Sequence, residues 1–180
     1  LVSALQAAGL PNLFIPGELD PKLFCTVVTF TDDNGGTWGS AEPVCDADAD
    51  RPRLITSVPV TSRLDGYPSV VYLCYFHSRA DGQTCQRSVD GGRTFSPGGD
   101  IAPDGCDPGL AGALFGHVAT DESGALYLAR MSCRRPVVAI SRDEGATWEQ
   151  HAIGPEGWNG YGEVAVAVDA LGPQWGWFAK

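Results

Sequence analysis

Three copies of one octapeptide constrain this chain more than any other feature. Thr31-Asp32-Asp33-Asn34-Gly35-Gly36-Thr37-Trp38 recurs as Ser88-Val89-Asp90-Gly91-Gly92-Arg93-Thr94-Phe95 and again as Ser141-Arg142-Asp143-Glu144-Gly145-Ala146-Thr147-Trp148. The copies start 57 and then 53 residues apart, the length of one four-stranded antiparallel unit with generous loops. Each follows a short apolar run, at 25–30, 84–87 and 137–140, that reads as a strand entering a hairpin turn. The residue types suit such a turn. An Asp carboxylate accepts backbone N–H bonds locally, the Gly two positions on takes positive φ, and the Ser and Thr hydroxyls close the remaining polar groups. The closing Trp38, Phe95 or Trp148 is expected to turn inward and bury its ring between neighbouring sheets.

These octapeptides resemble Asp boxes, also known as BNR repeats, and the chain resembles part of a sialidase-like β-propeller. The fold implied is all-β, with four-stranded antiparallel blades in a ring of the six-bladed type. Other segments recur in phase with the boxes. Residues 50–55, 116–121 and 162–169 read as innermost strands, followed by second strands at 69–76, 125–130 and 175–178. Residues 1–22 are then an N-terminal segment, with 1–10 a short helix or linker, and 23–180 hold half a blade, two full blades and another half. About three blades cannot close a ring, so the expectation is a fragment of a longer protein, or closure by self-association or a second polypeptide. Asp33, Asp90 and Asp143 are read as structural, because three copies at this spacing cannot share one active site.

Composition narrows the function classes. The 180 residues carry 12 Lys and Arg against 22 Asp and Glu, a net charge of -10 that disfavours nucleic acid and anionic membrane surfaces. No apolar run approaches the roughly 18 residues of a membrane span. Six cysteines, at 25, 45, 74, 85, 106 and 133, form neither a CxxC pair nor a zinc-spaced cluster. Disulfides fit better and place the chain in a secreted, extracytoplasmic setting. Laid on the blade scaffold, topology selects Cys25 with Cys45, Cys74 with Cys85 and Cys106 with Cys133. No cofactor is expected. The one metal alternative, calcium at Asp46, Asp48 and Asp50, lacks the glycine and the closing glutamate of a calcium loop.

Function in such a propeller is expected on the face opposite the boxes, where the innermost strands begin and the second strands end. Asp50, Arg51, His77, His117, Arg130, Tyr161 and Glu163 are the candidates there. The resemblance implies an arginine cluster for a substrate carboxylate, a Tyr nucleophile activated by Glu, and an Asp acid. Tyr161, Glu163 and Asp50 would fill the catalytic roles, with Arg51, Arg130, His117 and His77 binding ligand. The family's arginine-bearing motif is not matched, because 13–16 reads Leu-Phe-Ile-Pro with Phe14 where the arginine should stand. Two classes follow: a glycan-binding or glycoside-hydrolysing propeller, and a non-catalytic interaction propeller that self-associates or binds protein.

Overall fold

The structure, a computed structural model, describes residues 2–8, 24–44, 49–77, 82–101, 115–132, 135–157, 164–169 and 172–177. Within them every regular element is a strand, so the chain is all-β. No helix there is long and apolar enough to cross a membrane.

Among the described residues four antiparallel sheets follow one another along the sequence. The first holds β1 (Val2–Ala8), β2 (Phe24–Phe30) and β3 (Gly39–Ser40). The second holds β4 (Ala49–Ser57), β5 (Val70–His77) and β6 (Gly82–Ser88), and Ser96 and Asp100 bridge to its free edge at Arg87 and Thr84. The third is a full meander of β7 (Phe115–Thr120), β8 (Leu126–Ser132), β9 (Arg135–Ser141) and β10 (Glu149–Ala152), and the fourth pairs β11 (Val164–Asp169) with β12 (Gly172–Trp177).

The opening segment departs from expectation. Residues 2–8, read as part of a linker or short helix, pair with β2 from Val2 opposite Phe30 to Ala8 opposite Phe24. Ala, Leu and Gln favour helix, but the unpaired N–H and C=O groups along β2 offer a ladder that outweighs so weak a preference.

Strand alternation decides how the sheets stack. Along β5, Tyr72 and Cys74 join Leu126, Leu128 and Ala139 of the third sheet in one core, while Leu73 and Tyr75 join Val28 and Ala41 of the first. Along β8, Leu126 and Leu128 face the second sheet, whereas Tyr127, Ala129 and Met131 join Val166 of the fourth. Both faces of the middle sheets are therefore buried, and β8 is buried along its whole length. Cys74 lies directly opposite Cys85 across β5 and β6, and the two form a disulfide inside this core. Where the second sheet meets the third, the bridged segment runs so close that a Cβ on Gly98 would lie 2.0 Å from the Cys85 carbonyl oxygen. One on Gly99 would lie 2.1 Å from that of Ala146.

The three closing aromatics split. Phe95 packs on the core between the first and second sheets, and Trp148 on the core between the second and third. Trp38 is 50% exposed, contrary to the expected burial. Each packed ring covers the preceding sheet, and no described sheet precedes the first.

Candidate functional site

The three octapeptide turns close alike. Thr31 Oγ1 donates to Asp33 Oδ1 and accepts the Gly35 N–H, each at 2.8 Å, while Asp33 accepts the Thr37 N–H at 2.8 Å and its hydroxyl at 2.7 Å. Ser88 and Asp90 repeat this with Gly92 and Thr94, as do Ser141 and Asp143 with Gly145 and Thr147. In each turn two successive residues are left-handed: Asn34, Gly91 and Glu144 at φ 57°, 74° and 61°, then Gly35, Gly92 and Gly145 at 94°, 87° and 81°. The Thr37 N–H and hydroxyl lead in holding Asp33 down to about 2. For Asp90 and Asp143 burial pulls upward, but the bonds from Thr94 and Thr147 outweigh it and leave both below the usual carboxylate range.

Two clamps tie these turns to a neighbouring sheet through the long loop between β4 and β5. The carboxylate of Glu144 is buried and accepts the N–H groups of Val60, Thr61 and Ser62 at 2.7, 2.9 and 3.0 Å. It also takes the hydroxyls of Thr61 and Ser62 and pairs with Arg87 at 3.0 Å. Burial alone would raise its pKa; the bonds from Ser62, Thr61 and Val60 reverse this and bring it to about 2. Tyr72 beside it is pushed well up, by burial first and then by the Glu144 charge. In the second clamp the Arg93 guanidinium lies 4.2 Å from the Phe30 ring centre and 4.7 Å from that of Tyr67, and pairs with Asp32. The β4–β5 loop, the β7–β8 turn and all three octapeptides thus share one end of the sheets. That end is braced by buried charge.

At the far end, β4 and β7 each carry an irregularity. The pairing of β4 with β5 shifts between Asp50 and Arg53, and that of β7 with β8 between Phe115 and Val118. These first strands lie side by side, run toward the same end and touch where Thr120 Oγ1 donates to the Thr56 carbonyl at 3.2 Å. Arg53 follows directly on the irregular stretch of β4, and His117 lies within that of β7. His117 is exposed. Arg53 donates to the Pro52 carbonyl at 3.4 Å, while its Nε is buried without a partner among the described residues. Matched bulges of this kind re-aim side chains next to sites.

Of the candidates read from sequence, Arg130 is 4% exposed and donates to the Ile101 carbonyl at 2.7 Å, so it serves the packing between the second and third sheets rather than an open rim. Asp50 and Arg51 fall in β4, His77 ends β5 and Cys25 lies in β2, with their side chains outside the described residues. Tyr161, Glu163, Asp46, Asp48, Cys45, Cys106 and Cys133 lie outside the described residues, as does Phe14. Among the described residues no group of three or more His, Cys, Asp or Glu is placed to hold a metal ion. Sequence reasoning missed Arg53, although it stands two residues after Arg51 in the same strand. It also missed Glu144, whose signal was a long acidic side chain where the other turns have Asn34 and Gly91.

No family model, curated protein or solved structure matches the chain.

Proposed function

We propose that this chain is part of an extracytoplasmic β-propeller of the sialidase-like, Asp-box kind that binds glycans at the far end of its sheets. Repetition carries the reading: three turns closed by the same hydrogen bonds, each at the hairpin toward the outer edge of its sheet. The sheets pack face to face, and the first strands β4, β7 and β11 lie side by side. Such an arrangement is what a ring of blades requires. Arg53 and His117 form no ion pair among the described residues, and a guanidinium and an imidazole carried on the neighbouring first strands β4 and β7 suit a hydroxyl-rich or acidic sugar. Hydrolysis would call on Tyr161, Glu163 and Asp50. With Phe14 in place of the family's arginine, binding is the activity proposed.

The test is calorimetric titration of sialylated and neutral oligosaccharides into the wild-type chain, Arg53→Ala and His117→Ala, with released sugar assayed in parallel. A saturable heat that falls about tenfold in affinity in each variant, at unchanged melting temperature, is expected from the loss of one charge-assisted contact. A folded wild type that binds no glycan would sink the proposal.

A second reading, a propeller that self-associates through its sheet faces, is favoured by one observation: the half-exposed Trp38 that closes the first octapeptide turn.

A further inference from the structure

At the turn end, away from the glycan site proposed above, a cleft of about 410 Å³ opens where β4, the β7–β8 turn and β11 meet. Ser57 lines it and is 6% exposed, yet its hydroxyl has no hydrogen-bond partner among the described residues. By strand alternation Ser57 shares a face with Ile55, which packs toward the third sheet, so its hydroxyl is directed to the side where Thr120 and Asp121 stand. A buried hydroxyl left without a partner is costly, which marks a place where a polar ligand atom belongs.

The charges in the cleft have one sign. Asp121 accepts the Ser123 N–H and hydroxyl, the Ala125 N–H and the Tyr127 hydroxyl at 2.7–3.0 Å, and these bonds hold it ionised against the effect of burial. Glu122 is exposed and makes no ion pair among the described residues. No Lys or Arg lines the cleft among those residues. Val58, 46% exposed, and Val168 give it apolar wall.

We propose that this cleft binds an alkylammonium group, a primary amine on an aliphatic stem, such as a lysine side chain or a free diamine. The ammonium has three N–H donors, enough to meet a carboxylate and the Ser57 and Thr120 oxygens together, while its methylenes lie along Val58 and Val168. Competing ligands fit less well. A neutral polyol leaves the exposed Glu122 charge unanswered, an anion is repelled by Asp121 and Glu122 together, and a quaternary ammonium has no N–H for the Ser57 hydroxyl. The net charge of -10 draws cations in general, and the cleft supplies the local geometry.

The test is an NMR titration of the full chain with cadaverine and with Nα-acetyl-lysine methylamide, using pentanol, tetramethylammonium and methyl glucoside as controls. Both amines should give saturable shifts at the Val58, Thr120 and Val168 amides, and the controls should not. Whichever amine binds tighter identifies the source, peptide or free diamine, and either result supports the site. Glu122→Gln should weaken amine binding about fivefold, the loss expected for one partly exposed charge pair, and added salt should weaken it further. Ser57→Ala should also weaken it, with the spectrum of each variant confirming that the fold is intact. Absence of saturable amine shifts at those three amides, equal binding of tetramethylammonium or pentanol, or unchanged affinity in both folded variants would overturn the proposal.

Discussion

Glu144 sets two effects against each other within one residue. A non-glycine side chain at φ 61° costs about 1 kcal/mol of backbone strain, yet this carboxylate gathers three N–H groups, two hydroxyls and a guanidinium from another sheet. The clamp outweighs the strain. Glu144→Gln keeps one acceptor oxygen but loses the charge and sets an amide N–H2 among donors that include the Arg87 guanidinium, so it should lose about 2 kcal/mol in denaturant unfolding. Glu144→Gly relaxes the backbone but loses all the clamp's bonds, and it should also be less stable than wild type. If it were more stable, the clamp would not be what holds this turn. The pH dependence follows from the depressed pKa. A carboxylate at about 2 in the folded state, against its ordinary value of 4.5, contributes stability that is full above the higher value and fades as pH falls toward the lower. Unfolding midpoints should therefore drop between about pH 5 and 2 in the wild type, and more shallowly in Glu144→Gln. Some slope should remain, because Asp33 is held low as well.

At the scale of the element, the bridged segment after the second octapeptide is where the chain tolerates least. A side chain at Gly99 would press on the Ala146 carbonyl, backbone that cannot swing aside, so Gly99→Ala should cost about 3 kcal/mol by thermal or denaturant unfolding. Gly157→Ala meets open space and bears only its left-handed φ of 89°, a cost of about 1 kcal/mol. Equal losses at the two sites would show that the sheets move apart to accept the methyl. Elements of this kind differed in how far the sequence declared them. The octapeptides, β5 and β8 were legible because the cues lie within a few residues: turn chemistry for the first, unbroken apolar runs buried on both faces for the others. β1 was not, since its Ala, Leu and Gln speak for helix and only the neighbouring strand speaks for sheet. The far-end cluster was half legible. Arg51 and His117 drew notice as polar residues opening inner strands, but the shifts in register beside Arg53 and His117 depend on pairing with β5 and β8. Glu144 finds its partners 57 to 84 residues earlier, a separation that no local pattern can reveal.

For the whole molecule, the repeated packing of sheet on sheet makes Trp38 the residue to watch. Phe95 and Trp148 occupy the same place in their turns, and each covers the sheet before its own. Trp38 has the same chemistry and local turn but lies half in solvent. An indole buries a large apolar area, so covering it by another sheet face would contribute about 1–2 kcal/mol to any association. Sedimentation velocity across a range of concentrations should therefore show reversible association of the wild-type chain, with Trp38→Ser shifted toward monomer. Trp148→Ser should behave differently. Its ring braces an internal contact, so its loss should lower the melting temperature at every concentration. A wild type that stays monomeric at all concentrations, or a Trp38→Ser chain that associates as the wild type does, would remove the exposed indole as the docking element. That outcome would leave the far-end glycan site as the function to pursue.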